Sequence, residues 1–287
     1  KREIKVGFYA PENPPFHRII DSNTLEGLSP DYTLLVLHSL GLRISAGYFS
    51  SRSAALEALQ QGSLDMLVDG AGSPEPPPGL LVSQSFIDDY PVMVSRENTL
   101  SVMQEPPALL HIAMPRGYLS DAWVESRYPE AKITRYPSAL SALASVAFGE
   151  NDVFIGNLTS ASNLIERNYA STLAVVHIFE PTDSGPRFVF PGTHAPLHRS
   201  VNTVLGAIPQ PLHTALFYPW GQSQPASLAA KPLPLNEHEQ RWLQQHKTLR
   251  VAINPLDAPF TLKNRQEAFN GMTADLLRLI HLRTGLA

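Results

Sequence analysis

The sequence predicts an α/β protein of two lobes around a central cleft, followed by the opening of a second copy of the same unit. Three observations predict it. Strand and helix patterns alternate through residues 1–220. The alternation restarts near residues 88–92 and again near 187–192, where the chain is expected to pass between lobes. The beginning of the chain also recurs near its end.

The elements follow from periodicity and punctuation. Lys5 to Tyr9 reads as a strand. Asp31 to Leu40 reads as a helix with apolar positions at Leu34, Leu35, Leu37 and Leu40. Leu42 to Tyr48 is a strand, Ser53 to Gln60 a helix stopped by Gly62, and Leu64 to Val68 a short buried strand. This βαβαβ order implies a parallel sheet with helices on both faces. Pro91 to Ser95 begins a second run. Strands at Ile112–Pro115, Lys132–Tyr136 and Val153–Ile155 alternate with helices at 120–128, 138–148 and 160–167. Leu173 to Phe179 and Arg187 to Phe190 are further strands, and the helices from Pro196 onward return to the first lobe. The expected boundaries are 1–222 for the first module, with lobe 1 at 1–90 and 190–222 and lobe 2 at 91–189.

The repeat is specific. Ile4-Lys5-Val6-Gly7-Phe8 and a loop ending Pro15-Phe16 correspond to Leu249-Arg250-Val251-Ala252-Ile253 and a loop ending Pro259-Phe260. Gly27-Leu28-Ser29-Pro30-Asp31 corresponds to Gly271-Met272-Thr273-Ala274-Asp275. Leu40-Gly41-Leu42 matches Thr284-Gly285-Leu286. Chance supplies one such match, not Pro-Phe, Gly, Asp and Gly-Leu in one register. Residues 223–248 read as a linker, rich in Gly, Ser, Ala, Pro and Gln, ending in a helix from Glu237 to Gln245. Asn236 with Glu239 forms a capping-box pattern, and Trp242 and Leu243 are expected to face a core. Residues 249–287 supply one strand and one helix, too little for a sheet, and are expected to be the truncated start of a second module.

Composition narrows function. Of 287 residues, 43% are hydrophobic and 17% charged, ordinary for a chain with a sizeable core. A net charge of −4 gives no basis for nucleic acid as a partner. The absence of cysteine removes disulfides, thiolate metal sites and cysteine catalysis. No stretch approaches the ~20 apolar residues that span a bilayer. His194 and His198 are interrupted by Pro196, so no metal site is expected. Asp88-Asp89 is read as serving the hinge, since adjacent residues of a strand point opposite ways. No catalytic residue and no cofactor are expected.

The pattern resembles family-3 periplasmic solute-binding proteins, the Venus flytrap fold. The matching pieces are Val6 to Phe16, Gly27 to Asp31, Leu59 to Asp65, Leu81 to Phe86, Arg116-Gly117-Tyr118 and Asp152 to Asn157. The tandem arrangement, joined by Leu235 to Leu243, resembles the paired sensor modules of BvgS-type hybrid histidine kinases. The resemblance implies a ligand clamp of one Arg and one acidic residue. This chain has Pro76 and neutral Asn157 at those places, which argues against an ordinary α-amino acid. The remaining candidate ligand residues are Asn13, Phe16, Asp69, Gly70, Arg116, Tyr118, Ser120 and Asn157. Arg116, Tyr118 and Ser120 stand at a strand-to-helix turn suited to an anion, or Arg116 simply faces solvent. Asp69 holds a cation or amine, or caps a turn with Gly70. Phe16 forms an apolar wall, or packs under its loop.

These readings imply a sensor whose lobe closure biases a downstream part. The resemblance implies a periplasmic location within an inner-membrane protein. The expected partners are a small-molecule ligand in the cleft, a second flytrap module with a membrane-anchored kinase, and a second copy in a homodimer. A solute-binding protein of a transporter and an enzyme on the same fold are the alternatives.

Overall fold

The computed structural model describes residues 3–21, 24–96, 109–220, 233–254, 256–257, 260–263 and 269–286. The chain divides into two compact units, Lys1–Gln224 and Pro225–Ala287. Most of the stretch expected as linker, and Pro259 of the repeat, lie outside the described residues.

In the first unit, β1 (Glu3–Tyr9), β4 (Arg43–Phe49) and β5 (Met66–Asp69) run parallel, connected by α1 (Leu28–Ser39) and α2 (Arg52–Gln60). A small hairpin of β2 (Arg18–Asp21) and β3 (Thr24–Glu26) lies between β1 and α1. Two strands, β6 (Leu80–Val82) and β12 (Arg187–Pro191), complete the sheet in the order β4-β1-β5-β12-β6. β12 runs antiparallel to both neighbours, so the sheet is mixed rather than wholly parallel. Residues 187–189, expected in the second lobe, therefore belong to the first sheet.

Strand alternation explains the burial. Met66, Val68, Phe188 and Phe190 face one side, packing with Tyr32, Val36 and Leu37 of α1 and with Val201 and Leu205 of α6 (Ala195–Ala207). Leu67 and Val189 face the other side, against Ala55, Leu56 and Leu59 of α2. The buried stripe of α1 runs through Leu28, Tyr32 and Val36, at helical spacing. Leu34, expected inside, is exposed. The helix α7 (Gln210–Phe217) packs on α1, where the Tyr32 hydroxyl meets His213 Nδ1 at 2.6 Å.

The second sheet holds β7 (Pro91–Arg96), β8 (His111–Pro115), β9 (Lys132–Tyr136), β10 (Val153–Asn157) and β11 (Leu173–Ile178), ordered β11-β7-β10-β8-β9. β8, β9 and β10 are parallel, and β7 is antiparallel to β10 and β11. Its helices are α3 (Asp121–Glu125), α4 (Ala139–Ala147) and α5 (Leu158–Asn168). α3 is shorter than the expected 120–128, because Arg127 and Tyr128 turn back onto the Val124 carbonyl.

The second unit repeats local details of the first. α8 (Glu237–Gln245) starts with the expected capping box of Asn236 and Glu239. Trp242 does not face a core: it is 39% exposed and stacks on His246. No strand forms at Leu249–Ile253, and no described strand of this unit pairs with it. Instead, β13 (Leu256–Asp257), β14 (Thr261–Lys263) and β15 (Phe269–Asn270) form a small antiparallel sheet before α9 (Met272–Thr284). In β2–β3, Arg18 pairs with Glu26 and Ile19 with Leu25. In β14–β15, Leu262 pairs with Asn270 and Lys263 with Phe269, the same register. Ser29 N–H donates to the Phe16 carbonyl at 2.8 Å, and Thr273 N–H to the Phe260 carbonyl at 2.9 Å. Gly27 and Gly271 precede α1 and α9 with φ of 141° and 102°. A Cβ at Gly27 would lie 2.2 Å from the Phe16 carbonyl oxygen, so this close approach requires glycine.

Candidate ligand cleft

Parallel strands of an α/β sheet place their loops, and their ligands, at the carboxyl edge. In the first lobe that edge carries Tyr9 at the end of β1, Asp69 at the end of β5, and Arg52 at the start of α2. Asp69 is wholly buried. Arg52 reaches it in bidentate fashion, Nε to Oδ1 and Nη2 to Oδ2, both at 2.8 Å. The Tyr9 hydroxyl donates to Asp69 Oδ1 at 2.8 Å and accepts from Gly70 N–H at 3.0 Å. Burial, reinforced by the Asp69 charge, pushes the Tyr9 hydroxyl far above its ordinary pKa, so it stays protonated as the donor. Arg52 Nη2 also donates to the Pro74 carbonyl at 2.7 Å. Further along the same loop, Arg187 Nη1 donates to Glu75 at 3.0 Å and Nη2 to the Ser73 carbonyl at 3.4 Å.

In the second lobe, the edge carries Tyr118 after β8 and Asn157 at the end of β10. Both donate to Asp89, which lies on the outgoing crossover. Thr182 on the returning crossover donates to Asp89 Oδ2 at 2.8 Å, and the two crossovers are bridged at Asp89 and Thr182. Burial pushes the Asp89 carboxyl up, against hydrogen bonds from Asn157, Thr182 and Tyr118 that favour its charged form. Adjacent Asp88 is exposed.

The two edges touch. Leu119 N–H, from the second lobe, donates to the Gly72 carbonyl at 3.2 Å, while Gly72 N–H donates to the Ser184 carbonyl as a continuation of the β5–β12 pairing. Ala71 packs on the second lobe's core beside Tyr118. Ser160 Oγ, in the first turn of α5, donates to Asn13 Oδ1 at 2.8 Å. The polar groups of the cleft are thus paired with one another.

The expected site residues separate accordingly. Asn13, Asp69, Gly70, Tyr118 and Asn157 enter these networks. Asn157 also caps α5 through Oδ1, which accepts from Ser160 N–H at 3.1 Å. Phe16 is 3% exposed beneath its loop. Arg116 is exposed, and among the described contacts only its backbone is engaged, to the Tyr136 carbonyl at 2.8 Å. Ser120 caps α3 by accepting from Trp123 N–H at 3.3 Å. The carbonyls of this turn are held by Arg135. Arg135 donates to the Pro115, Tyr118 and Leu119 carbonyls at 3.2, 2.6 and 2.9 Å. Arg52, Arg135, Arg187 and Thr182 were not singled out from the sequence. The signal for Arg52 was available, because it follows the Ser51 helix cap directly at the end of β4.

No protein-family model matches the chain. It is 34% identical over 286 residues to the virulence sensor protein BvgS of Bordetella pertussis, covering 100% of this chain and 23% of BvgS. It is 24% identical over 287 residues to the sensor protein EvgS of Escherichia coli, covering 100% of this chain and 24% of EvgS. The chain therefore spans about a quarter of the length of these relatives. The crystal structure of the B. pertussis BvgS periplasmic domain superposes with a TM-score of 0.84 at 34% identity, over 99% of this chain and 55% of that one. The chain is homologous to the BvgS periplasmic domain. The isolated BvgS VFT2 domain, at 19% identity and a TM-score of 0.60, shares the fold over 76% of this chain. The first unit is accordingly a Venus flytrap module with a cleft between its lobes. No helix among the described residues is long and apolar enough to cross a membrane.

Proposed function

We propose that the first unit is a periplasmic flytrap sensor module that rests closed on its own side chains, within a membrane-anchored sensor kinase. One observation carries the resting state: the Leu119 N–H of the second lobe donates to the Gly72 carbonyl of the first, a main-chain latch across the cleft. The homology to BvgS, and its full coverage of this chain, supports the sensor role. The second unit is read as the beginning of a second flytrap module, supported by the shared hairpin register and the matching Ser29 and Thr273 bonds. Its exposed Phe260, Met272 and Leu276 occupy the places of Phe16, Leu28 and Tyr32, which the first module buries. A signal then acts by shifting the balance between closed and open forms, and only by its differential affinity for them.

The test is small-angle scattering of the chain after unfolding, dialysis and refolding, which strips any carried solute. The expected profile is that of the closed module, unchanged by common amino acids. An open profile that closes when one of them is added overturns the reading.

A further inference from the structure

Asp69 is a carboxylate without access to water, at the edge of the sheet where flytrap lobes face each other. A buried charge is costly unless it is paired and hydrogen-bonded. The groups gathered around it suit one shape of partner. Two carboxylate oxygens and the Pro74 carbonyl all accept, and all three are met by one planar fork of N–H donors. An ammonium point charge lacks that bidentate match. The Tyr9 hydroxyl closes one flank of the carboxylate. Three elements, β1, β5 and the start of α2, converge to build this pocket. The donor that fills it is the chain's own Arg52, whose side chain is 23% exposed at the rim.

We propose that Asp69, Tyr9 and Pro74 form a guanidinium-binding site and that Arg52 is its tethered ligand. By joining Asp69 to Pro74 it holds both ends of the loop whose Gly72 main chain latches the second lobe. A solute is thereby replaced by a side chain. Tethering raises the local concentration of the cation to the order of millimolar, so dilute solutes do not displace it. Arg52 acts as a positioning residue for the latch, because its hydrogen bonds go to Asp69 and Pro74 of its own lobe. The proposal rests on the closed resting state and names what holds it.

The experiment uses the whole 287-residue chain with Arg52→Ala. Methylguanidinium, methylammonium and neutral methylurea are added at equal millimolar concentration and ionic strength, and melting temperature is read with small-angle scattering. The expected result is a saturable rise of roughly 5 to 10 °C at a hundredfold excess of methylguanidinium over its dissociation constant. Neither comparator should reproduce it, the natural chain should not show it, and Asp69→Asn added to Arg52→Ala should abolish it. If Arg52→Ala does not fold unaided, refolding from urea replaces melting, with recovery expected in methylguanidinium only. Equal effects of methylguanidinium and methylammonium, or none on the variant, overturn the site. Scattering separates the two claims: an open solute-free natural chain refutes the closed resting state, whereas the Asp69 site stands or falls on the guanidinium shift.

Discussion

At Gly72 the main chain takes φ of 70°, and a Cβ placed there would lie 2.3 Å from the Tyr118 ring. The second fact belongs to the closed form, because Tyr118 stands on the second lobe. Gly72→Ala therefore carries a backbone penalty of about 1 to 3 kcal/mol in either form and a packing penalty of about 1 to 3 kcal/mol that opening relieves. The variant should scatter as an open module with a larger radius of gyration while keeping its native circular dichroism. An unchanged radius would show that the lobes close without this approach. The same scale shows what was legible beforehand. Asp69, Tyr118 and Asn157 could be singled out because strand ends are visible in the sequence. Their pairing is not visible there: Asp89 reads only as a hinge residue and Arg52 not at all, since both reach their partners through packing of elements distant in the chain. The cation expected for Asp69 comes not from a ligand but from Arg52 of α2.

Among the elements, α7 docks on α1 through an apolar surface and the bond between Tyr32 and His213. Burial lowers the His213 pKa, and it outweighs the Asp88 charge and a bond to the Ile208 carbonyl that act the other way. His17, bonded to the Tyr9 carbonyl at 3.0 Å, is likewise lowered by burial. The ordinary histidine value is about 6.5. Between it and a lower folded value, the unfolded chain binds more protons, so stability falls as pH decreases. The stabilisation is fully present above about pH 6.5 and is lost on acidification toward the folded values. Asp89, raised by burial, has the opposite sign at lower pH. Urea midpoints should therefore fall between pH 7 and 5.5, and fall less in the His17→Gln, His213→Gln double variant. An identical fall in that variant would assign the pH dependence elsewhere. Element boundaries in the first unit were largely readable because helix caps and buried strands are local signals, as at Ser51 and Ser138. The hairpin β2–β3 was missed. Its Asp21–Thr24 connection and exposed Ile20 offer little alternation, and its pairing becomes plain only beside its counterpart in the second unit.

On the scale of the whole molecule, the repeat sets two chemically similar helices in different surroundings. Tyr32 in α1 is wholly buried between the sheet and α7, while Leu276, at its place in α9, is 56% exposed. Sequence pattern alone made these positions equivalent, because a period of 3.6 residues marks an apolar face without stating whether anything covers it. The strands that cover α1 in the first module include residues 66–69 and 187–191, far along the chain. The contrast predicts unequal costs at equal positions. Tyr32→Ala removes a packed ring and a bond to His213, at about 3 to 5 kcal/mol. Leu276→Ala should stay within about 0.5 kcal/mol for the main unfolding transition. Both are measured by urea denaturation of the 287-residue chain. If Leu276→Ala proves as costly as Tyr32→Ala, α9 is buried in solution and the second unit is complete by itself. If the costs differ as stated, the apolar face of α9 is the one that the remainder of a second flytrap module would cover, and extending the chain through that module should raise the cost of Leu276→Ala toward that of Tyr32→Ala.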